Sequence, residues 1–238
     1  MPEKRSSPLT ATRRGTDLAD LAPLWLTLRL AALVTGLLLV IGTPLAWWLA
    51  RTRSRLRPAV EAVTALPLVL PPTVLGFYLL IAFNPRSALG AAWLDITGQT
   101  LTFSFAGLVI ASVIYSLPFT VQPLQAAFAQ VGRAPLEAAA SLGASPLDAF
   151  LSVASPLAIR GYLSAAVLTF AHTLGEFGVV LMVGGNIPGE TRVVSIAIYE
   201  LVETIDYGQA HVLSAILVAL SFTILFALYL LNGPGRAR

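Results

Sequence analysis

The chain has 238 residues, of which 56% are hydrophobic and 11% charged, and its formal net charge is +3. Together with a mean hydropathy of +0.79, this composition excludes an ordinary soluble domain and predicts an integral membrane protein. The absence of cysteine excludes disulfides and thiolate metal sites, and the single lysine, Lys4, lies far from any Gly-rich turn, which excludes a P-loop ATPase.

Residues 1–20 are predicted to form a mobile tail and residues 23–50 the first membrane span, because an apolar run of this length crosses a bilayer as a helix. Four arginines between positions 51 and 57 follow directly. By the positive-inside rule they place this short loop in the cytoplasm. Because the basic residues cluster beside membrane spans, we expect them to face lipid headgroups and expect no nucleic-acid binding.

The second predicted span, residues 59–83, contains Pro67, Pro71 and Pro72. Proline removes a backbone donor, so we expect this helix to be broken or kinked. Broken helices often line transport pathways, although a packing kink without a functional role fits the sequence equally well. Residues 84–99 are predicted to be a loop on the outer side, and residues 101–128 a third span that returns to the cytoplasm.

A polar loop, residues 133–156, then interrupts the apolar sequence. Pro135 suits the first position of a helix, and Gly143 can take the left-handed conformation that ends one. Ser145 is a good N-cap with Asp148 three residues later, so a second short helix is expected. The polar loop is therefore predicted to be two short helices joined by a sharp turn on the cytoplasmic side.

The fourth predicted span, residues 157–183, has the most polar residues, and glycines interrupt it on both sides of Glu176. Ionisable groups inside a membrane helix are costly, so they are expected to face the bundle interior or a watery cavity. The remaining predicted segments are an outer loop (184–192), a peripheral helix (193–202), a fifth span (208–231) and a C-terminal tail (233–238).

The sequence thus predicts an all-α polytopic membrane helix bundle, with about five transmembrane helices in a single domain over residues 21–232. Arg236 and Arg238 favour a cytoplasmic C-terminus. Five spans then place the N-terminus outside, against the positive-inside tendency of the basic residues near it. The side on which the tail lies therefore stays open.

Within the polar loop, Glu137, Ala138, Ala139, Gly143 and the segment ending at Pro156 resemble the EAA loop of bacterial ABC importer permeases. The family pattern is EAA, three residues, Gly, nine residues and Ile-x-Leu-Pro, from which the Ile and Leu positions depart here. The resemblance implies a coupling loop that docks on a cytoplasmic ATPase subunit. The residues assigned to this docking are Glu137, Ala138, Ala139, Gly143, Ser145, Asp148 and Pro156.

Four further segments, at residues 66–72, 116–119, 174–178 and 186–192, resemble the permease subunit of molybdate ABC importers. The last of them favours molybdate over the similar sulfate permeases, and tungstate cannot be distinguished from molybdate. The resemblance implies a homodimer in the lipid of the bacterial inner membrane with the pathway at the subunit interface. It also implies two partner ATPase subunits that bind ATP and Mg, and an external oxyanion-binding protein.

No catalytic, metal or cofactor site is expected in this chain, and its candidate residues belong to the pathway and to the outer surface. Hydroxyl groups can donate hydrogen bonds to a passing oxyanion. A carboxylate at Glu176 would repel it unless protonated or paired, so the sequence favours a structural role for Glu176 as a hydrogen-bonded group where glycines interrupt the helix. The pathway candidates are Pro71, Pro72, Ser116, Pro118, Thr169, Thr173 and Glu176. Those expected to face the binding protein are Asn186, Glu190 and Arg192, and for Arg192 a structural role is as well supported.

Two other classes compete with the permease. His172 and His211 are the two histidines, and a pair on different membrane helices could bind haem in a redox subunit. A secondary transporter, driven by an ion gradient, is the other. The depths of the histidines argue against haem, since His211 lies near the outer end of the fifth predicted span and His172 well inside the fourth. The resemblance of the polar loop to a docking site for an ATPase argues against a secondary transporter.

Overall fold

The computed structural model describes residues 21–232, so the predicted tails, 1–20 and 233–238, lie outside the described residues. Every regular element within this range is helical, which confirms the all-α prediction. The helices are α1 (Ala22–Arg51), α2 (Arg57–Val69), α3 (Pro72–Phe83), α4 (Ala88–Thr97), α5 (Phe105–Val131), α6 (Ala134–Ser141), α7 (Pro146–Ala149), α8 (Ser155–Leu157), α9 (Ile159–Leu174), α10 (Gly178–Gly184), α11 (Val194–Glu203) and α12 (Tyr207–Asn232). A π-helical turn, Phe150–Ala154, joins α7 to α8.

Three of the described helices, α1, α5 and α12, are long and apolar enough to cross a membrane, and the number rises to five if each of two bent pairs counts as one span. The first pair is α2 with α3, bent by 111°, and the second joins Pro146–Leu157 to α9 with a bend of 71°. The bundle of membrane helices expected from the sequence is therefore confirmed.

Two connections differ from the simplest expectation. The segment predicted as an outer loop, residues 84–99, contains the helix α4, which Ser87 caps by accepting a hydrogen bond from the Gly90 N–H at 3.0 Å. Sequence reasoning missed this helix because its apolar run is short and is bounded by turn residues. The predicted fourth span is divided into α9 and α10, and the interruption lies at the expected residues.

The core forms where α1, α5 and α9 pack together. Near the outer side, Leu30, Val34 and Leu38 of α1 pack against Leu108 of α5 and Val180 of α10. Near the polar loop a second cluster joins the far end of α1 to α5 and α9. Because lipid is as apolar as these side chains, close packing rather than water exclusion holds such helices together.

Close packing is tightest between α3 and α10. A Cβ atom at Gly76 would lie 2.8 Å from Met182 Cβ, and one at Gly178 would lie 2.8 Å from Pro72 Cβ. Glycine is therefore required at both positions for the two helices to approach this closely. This contact fixes the start of α3 beside the start of α10.

Candidate functional site

The breaks in the two interrupted helices meet at one cavity of about 580 Å³, which we call the central cavity. Pro72 and Thr73 begin α3 on one side, and the segment between α9 and α10 lies on the other. Tyr115 of α5 and His172 of α9 complete the polar part of the wall. Irregular backbone at membrane depth is tolerated where it is buried in protein or lines such a cavity.

The α2/α3 break follows from the prolines that the sequence predicted to cause it. Leu70 and Pro71 have extended backbone between the two helices, and Pro72 opens α3. Pro67, in contrast, is accommodated inside α2. Pro71 thus forms the break, whereas Pro72 lines the central cavity.

At the α9/α10 break the backbone finds substitute partners. The Gly175 N–H donates to the His172 carbonyl at 3.1 Å, and the Glu176 carbonyl accepts from the Ser195 hydroxyl of α11 at 2.6 Å. The hydroxyl of Thr27 in α1 in turn accepts the Val194 N–H at 2.8 Å. The start of α11 therefore ties the outer end of α1 to the break.

The Glu176 side chain lines the central cavity but is only 4% exposed. Ser112 is its neighbour on α5, yet neither carboxyl oxygen has a hydrogen-bond partner among the described residues, and the Ser112 hydroxyl has none either. Buried polar groups usually have a hydrogen-bond partner, so Glu176 and Ser112 keep unused hydrogen-bonding capacity at this wall.

The hydroxyls expected to touch a solute lie instead between α5 and α9. Ser116 is 3.2 Å from the Thr173 hydroxyl, and Thr173 donates to the Thr169 carbonyl at 2.9 Å. Thr169 also pairs with the Thr120 hydroxyl at 2.5 Å. Ser116, Thr169 and Thr173 are almost fully buried and do not line the central cavity, and Pro118 is buried within α5.

His172 connects this group of hydroxyls to the central cavity, because it is bonded to Ser116 and lines the cavity wall. Its Nδ1 lies 2.9 Å from Ser116 Oγ, and its ring stacks on Phe119 at 3.9 Å between centroids. Thr173 donates its one hydroxyl proton to the Thr169 carbonyl, so it can only accept from Ser116. Ser116 therefore donates to Thr173 and accepts from His172 Nδ1. In the neutral ring Nε2 is then the free acceptor. Sequence reasoning considered His172 only as a haem ligand.

The polar loop has the predicted local structure. Gly143 has a φ of +88°, as a left-handed turn requires, and Ser145 caps α7 by accepting the Asp148 N–H at 3.2 Å. One detail differs, since α6 begins at Ala134 and Pro135 is its second residue. Of the residues assigned to docking, Ala139 is half-buried and the others are exposed, namely Glu137, Ala138, Gly143, Ser145, Asp148 and Pro156.

The outer candidates form an ion-pair network with a residue that sequence reasoning missed, Glu200. Arg192 donates to Asn186 Oδ1 at 2.6 Å and lies 3.3 Å from Glu200 Oε2, and Asn186 donates to the same carboxylate at 3.0 Å. Glu190 is exposed beside an outer cavity of about 580 Å³ that Arg29 also lines. Arg192 and Asn186 therefore stiffen the loop that carries Glu190.

The chain belongs to the family of binding-protein-dependent transport system inner membrane components, which matches residues 42–236. This assignment confirms the resemblance to ABC importer permeases and the multi-pass inner-membrane location. It also places the chain among transport components that are not themselves catalytic, so the redox alternative is not carried forward. Within residues 21–232 no group of three or more His, Cys, Asp or Glu side chains could hold a metal ion.

Relatives within the family differ in how similar they are to this chain. The molybdenum transport system permease protein ModB of Azotobacter vinelandii is 60% identical over 210 residues, which cover 88% of this chain and 93% of that protein. The probable sulfate transport system permease protein cysT of Nephroselmis olivacea is 32% identical over 207 residues, or 87% of this chain and 72% of that protein. The chain is therefore much more similar to the molybdenum permease.

A solved structure shows the same fold. Inward-facing MetNI, a methionine ABC transporter, superposes with a TM-score of 0.69 at 21% identity, covering 88% of this chain and 93% of that chain. This chain therefore shares its overall fold with a chain of that transporter.

Proposed function

We propose that this chain is the membrane-spanning subunit of an importer that carries molybdate into the cytoplasm, with ATP hydrolysed by a separate subunit. The assignment of molybdate as the substrate rests on the sequence identity to the molybdenum permease, which is nearly twice the identity to the sulfate permease. Tungstate presents the same tetrahedral dianion and shares the proposal.

The central cavity is the proposed part of the pathway within this chain. It lies where two helices are broken, and the Tyr115 and Thr73 hydroxyls in its wall are hydrogen-bond donors without a fixed charge. Such groups favour passage over tight capture. Glu176 is assigned to the wall rather than to solute contact, because an unpaired carboxylate would repel a dianion.

The polar loop is the proposed docking site for the ATPase subunit. Three of its leucines are strongly exposed, Leu142 at 90%, Leu147 at 67% and Leu151 at 58%. Exposed apolar side chains grouped on one loop mark a surface that a partner covers. Glu137 and Asp148 add exposed charges beside them. ATP and Mg belong to that partner.

Two further partners complete the proposed assembly. Phe77, Tyr78 and Ile81 expose a broad apolar face on α3, next to the wall of the central cavity. We assign this face to a second copy of the chain, which would enclose the pathway within the lipid bilayer. On the outer side, Asn186, Glu190 and Arg192 are assigned to an oxyanion-binding protein.

Uptake by proteoliposomes tests the proposal. The chain is reconstituted with its ATPase subunit, the binding protein is supplied outside, and ATP inside drives the entry of molybdate, measured by elemental analysis. Molybdate and tungstate are expected to enter, and sulfate is expected to compete weakly. Uptake that follows an ion gradient without the ATPase would identify a secondary transporter. Faster entry of sulfate than of molybdate would overturn the assignment of molybdate as the substrate.

A further inference from the structure

The polar loop contacts the membrane helices through aromatic side chains. We name the aromatic joint as Trp47, Phe128, Phe150 and Tyr162. Trp47 lies 5.2 Å from Phe128 and 5.0 Å from Phe150, both edge to face, and Phe128 lies 5.9 Å from both Phe150 and Tyr162. These centroid distances are within the range in which aromatic pairs attract each other.

Each ring of the aromatic joint comes from a different part of the chain. Trp47 belongs to α1, Phe128 to α5, Tyr162 to α9 and Phe150 to the polar loop. Phe128 is fully buried at the centre, with 1% of its surface exposed. Four segments therefore meet at one point, where Phe150 contacts rings of α1 and α5 directly and is linked to α9 through Phe128.

Two apolar clusters interlock at this point. The cluster of the polar loop, built on Leu136, Ala149 and Ala154, includes Trp47 as its one member from outside the loop among the described residues. The neighbouring cluster of α1, α5 and α9 includes Phe150 as its one described member from the loop. Trp47 and Phe150 each pack in both clusters and therefore join the two.

The local backbone around Phe150 is unusual. Phe150 opens the π-helical turn, and its carbonyl accepts the N–H of Ser155. The Ser155 hydroxyl lies 3.0 Å from the Tyr162 hydroxyl, which adds a polar link from the same turn to α9. Pro156 follows and has no N–H to continue the helix. Wide helical turns of this kind are rare and are frequent at functional sites.

We propose that the aromatic joint transmits the movement of the polar loop to α1, α5 and α9, with Phe150 as its positioning residue. This rests on the proposed function, in which the polar loop docks on an ATPase. The loop then has two faces with different roles. Leu142, Leu147 and Leu151 hold the partner. Phe150 passes the partner's motion to α5 and α9, which line the central cavity, and to α1, which packs against both.

The test separates docking from transmission with three variants of the full complex. Phe150→Ala is expected to retain the ATPase subunit on purification, while molybdate uptake per ATP hydrolysed falls about tenfold, since more than one aromatic pair is lost. Phe150→Tyr keeps the ring and is expected to restore uptake. Leu147→Ala is expected to weaken retention of the ATPase subunit on purification.

Phe222→Ala is the matched control, because it removes an exposed ring of α12 that stacks on Phe226, away from the aromatic joint. Its uptake per ATP is expected to equal that of the wild type. Unchanged uptake per ATP in Phe150→Ala, beside a transporting wild type, would overturn the inference and leave the proposed function intact. Loss of the ATPase subunit from Phe150→Ala would also overturn it, because Phe150 would then act in docking.

A second readout does not depend on the solute. The chain has no cysteine, so Ala171→Cys in the wall of the central cavity gives a single labelling site. ATP is expected to change its maleimide labelling rate in the parent complex, and Phe150→Ala is expected to abolish that change. If molybdate does not enter the wild type, the proposed function fails, and this labelling still decides the inference. A retained ATP-dependent change would overturn it.

Discussion

Hydroxyl groups buried between membrane helices need hydrogen-bond partners, and Thr120 and Thr169 share one hydrogen bond with each other. Their oxygens lie 2.5 Å apart across α5 and α9, and both residues are fully buried. The pair belongs to the same interface as Ser116 and Thr173. Its energetic role is to align the two helices that hold His172 at the central cavity.

Thr120→Val is expected to reduce the free energy of unfolding by about 0.6 to 1.7 kcal/mol, from the average to the largest value found for hydrogen bonds between membrane helices. The cost includes an unsatisfied partner, so Thr120→Val combined with Thr169→Val is expected to cost less than the sum of the single variants. Unfolding in lipid nanodiscs measures the cycle. Strict additivity would show that the two hydroxyls do not interact.

Sequence reasoning identified the polar residues but not the direction in which they point. The pathway candidates Ser116, Thr169 and Thr173 lie between α5 and α9 and outside the wall of the central cavity. In a soluble helix the apolar stripe shows which face is buried. A membrane helix is apolar all round, so this signal is absent. The link between Ser116 and His172 spans 56 residues and follows from tertiary packing alone.

Helix breaks, in contrast, are encoded locally. Pro71 and Pro72 separate α2 from α3, and glycines flank the break between α9 and α10. Both breaks were predicted because proline removes a donor and glycine tolerates unusual backbone. The helix α4 was missed, since ten residues are too few for a clear periodic signal. Element type was thus predictable wherever one residue dictates the backbone.

Gly178→Ala is expected to push α3 and α10 apart, because the new Cβ would lie 2.8 Å from the rigid ring of Pro72. Overpacking of this kind costs about 1 to 3 kcal/mol, and it would also distort the central cavity. Gly36→Ala is the matched control, since nothing lies within 4 Å of its Cβ position in α1. Thermal unfolding and uptake are the measurements. Equal behaviour of the two variants would refute the close contact.

At the scale of the whole molecule, the sequence-based prediction was most complete for the polar loop. Its turn at Gly143 and its cap at Ser145 depend on residues a few positions apart, so they could be predicted. Its packing against Trp47 and Phe128 could not be predicted, because those residues come from helices distant in sequence. The outer network shows the same limit, since Glu200 lies 14 residues from Asn186.

Gly143→Val is expected to weaken binding of the ATPase subunit while membrane insertion is preserved. Gly143 has no neighbour within 4 Å of a Cβ, so the effect comes from the left-handed backbone alone, which costs a branched residue about 1 to 2 kcal/mol. Glu137→Lys is expected to weaken binding by reversing an exposed charge. Copurification of the ATPase is the measurement, with the exposed Ala140→Val as control. Wild-type binding in both variants would make the loop a simple connector.

Helix α9 is attached at both of its ends. At one end, the break after α9 is held by Ser195 of α11, and α11 is in turn bonded to Thr27 of α1. At the other end, Tyr162 belongs to the aromatic joint. With 16 residues, α9 is about 24 Å long, and a helix is stiff along its axis. It is therefore one continuous helix anchored at both ends. In the proposed assembly, contact with the binding protein outside and ATP binding inside would act on this same helix.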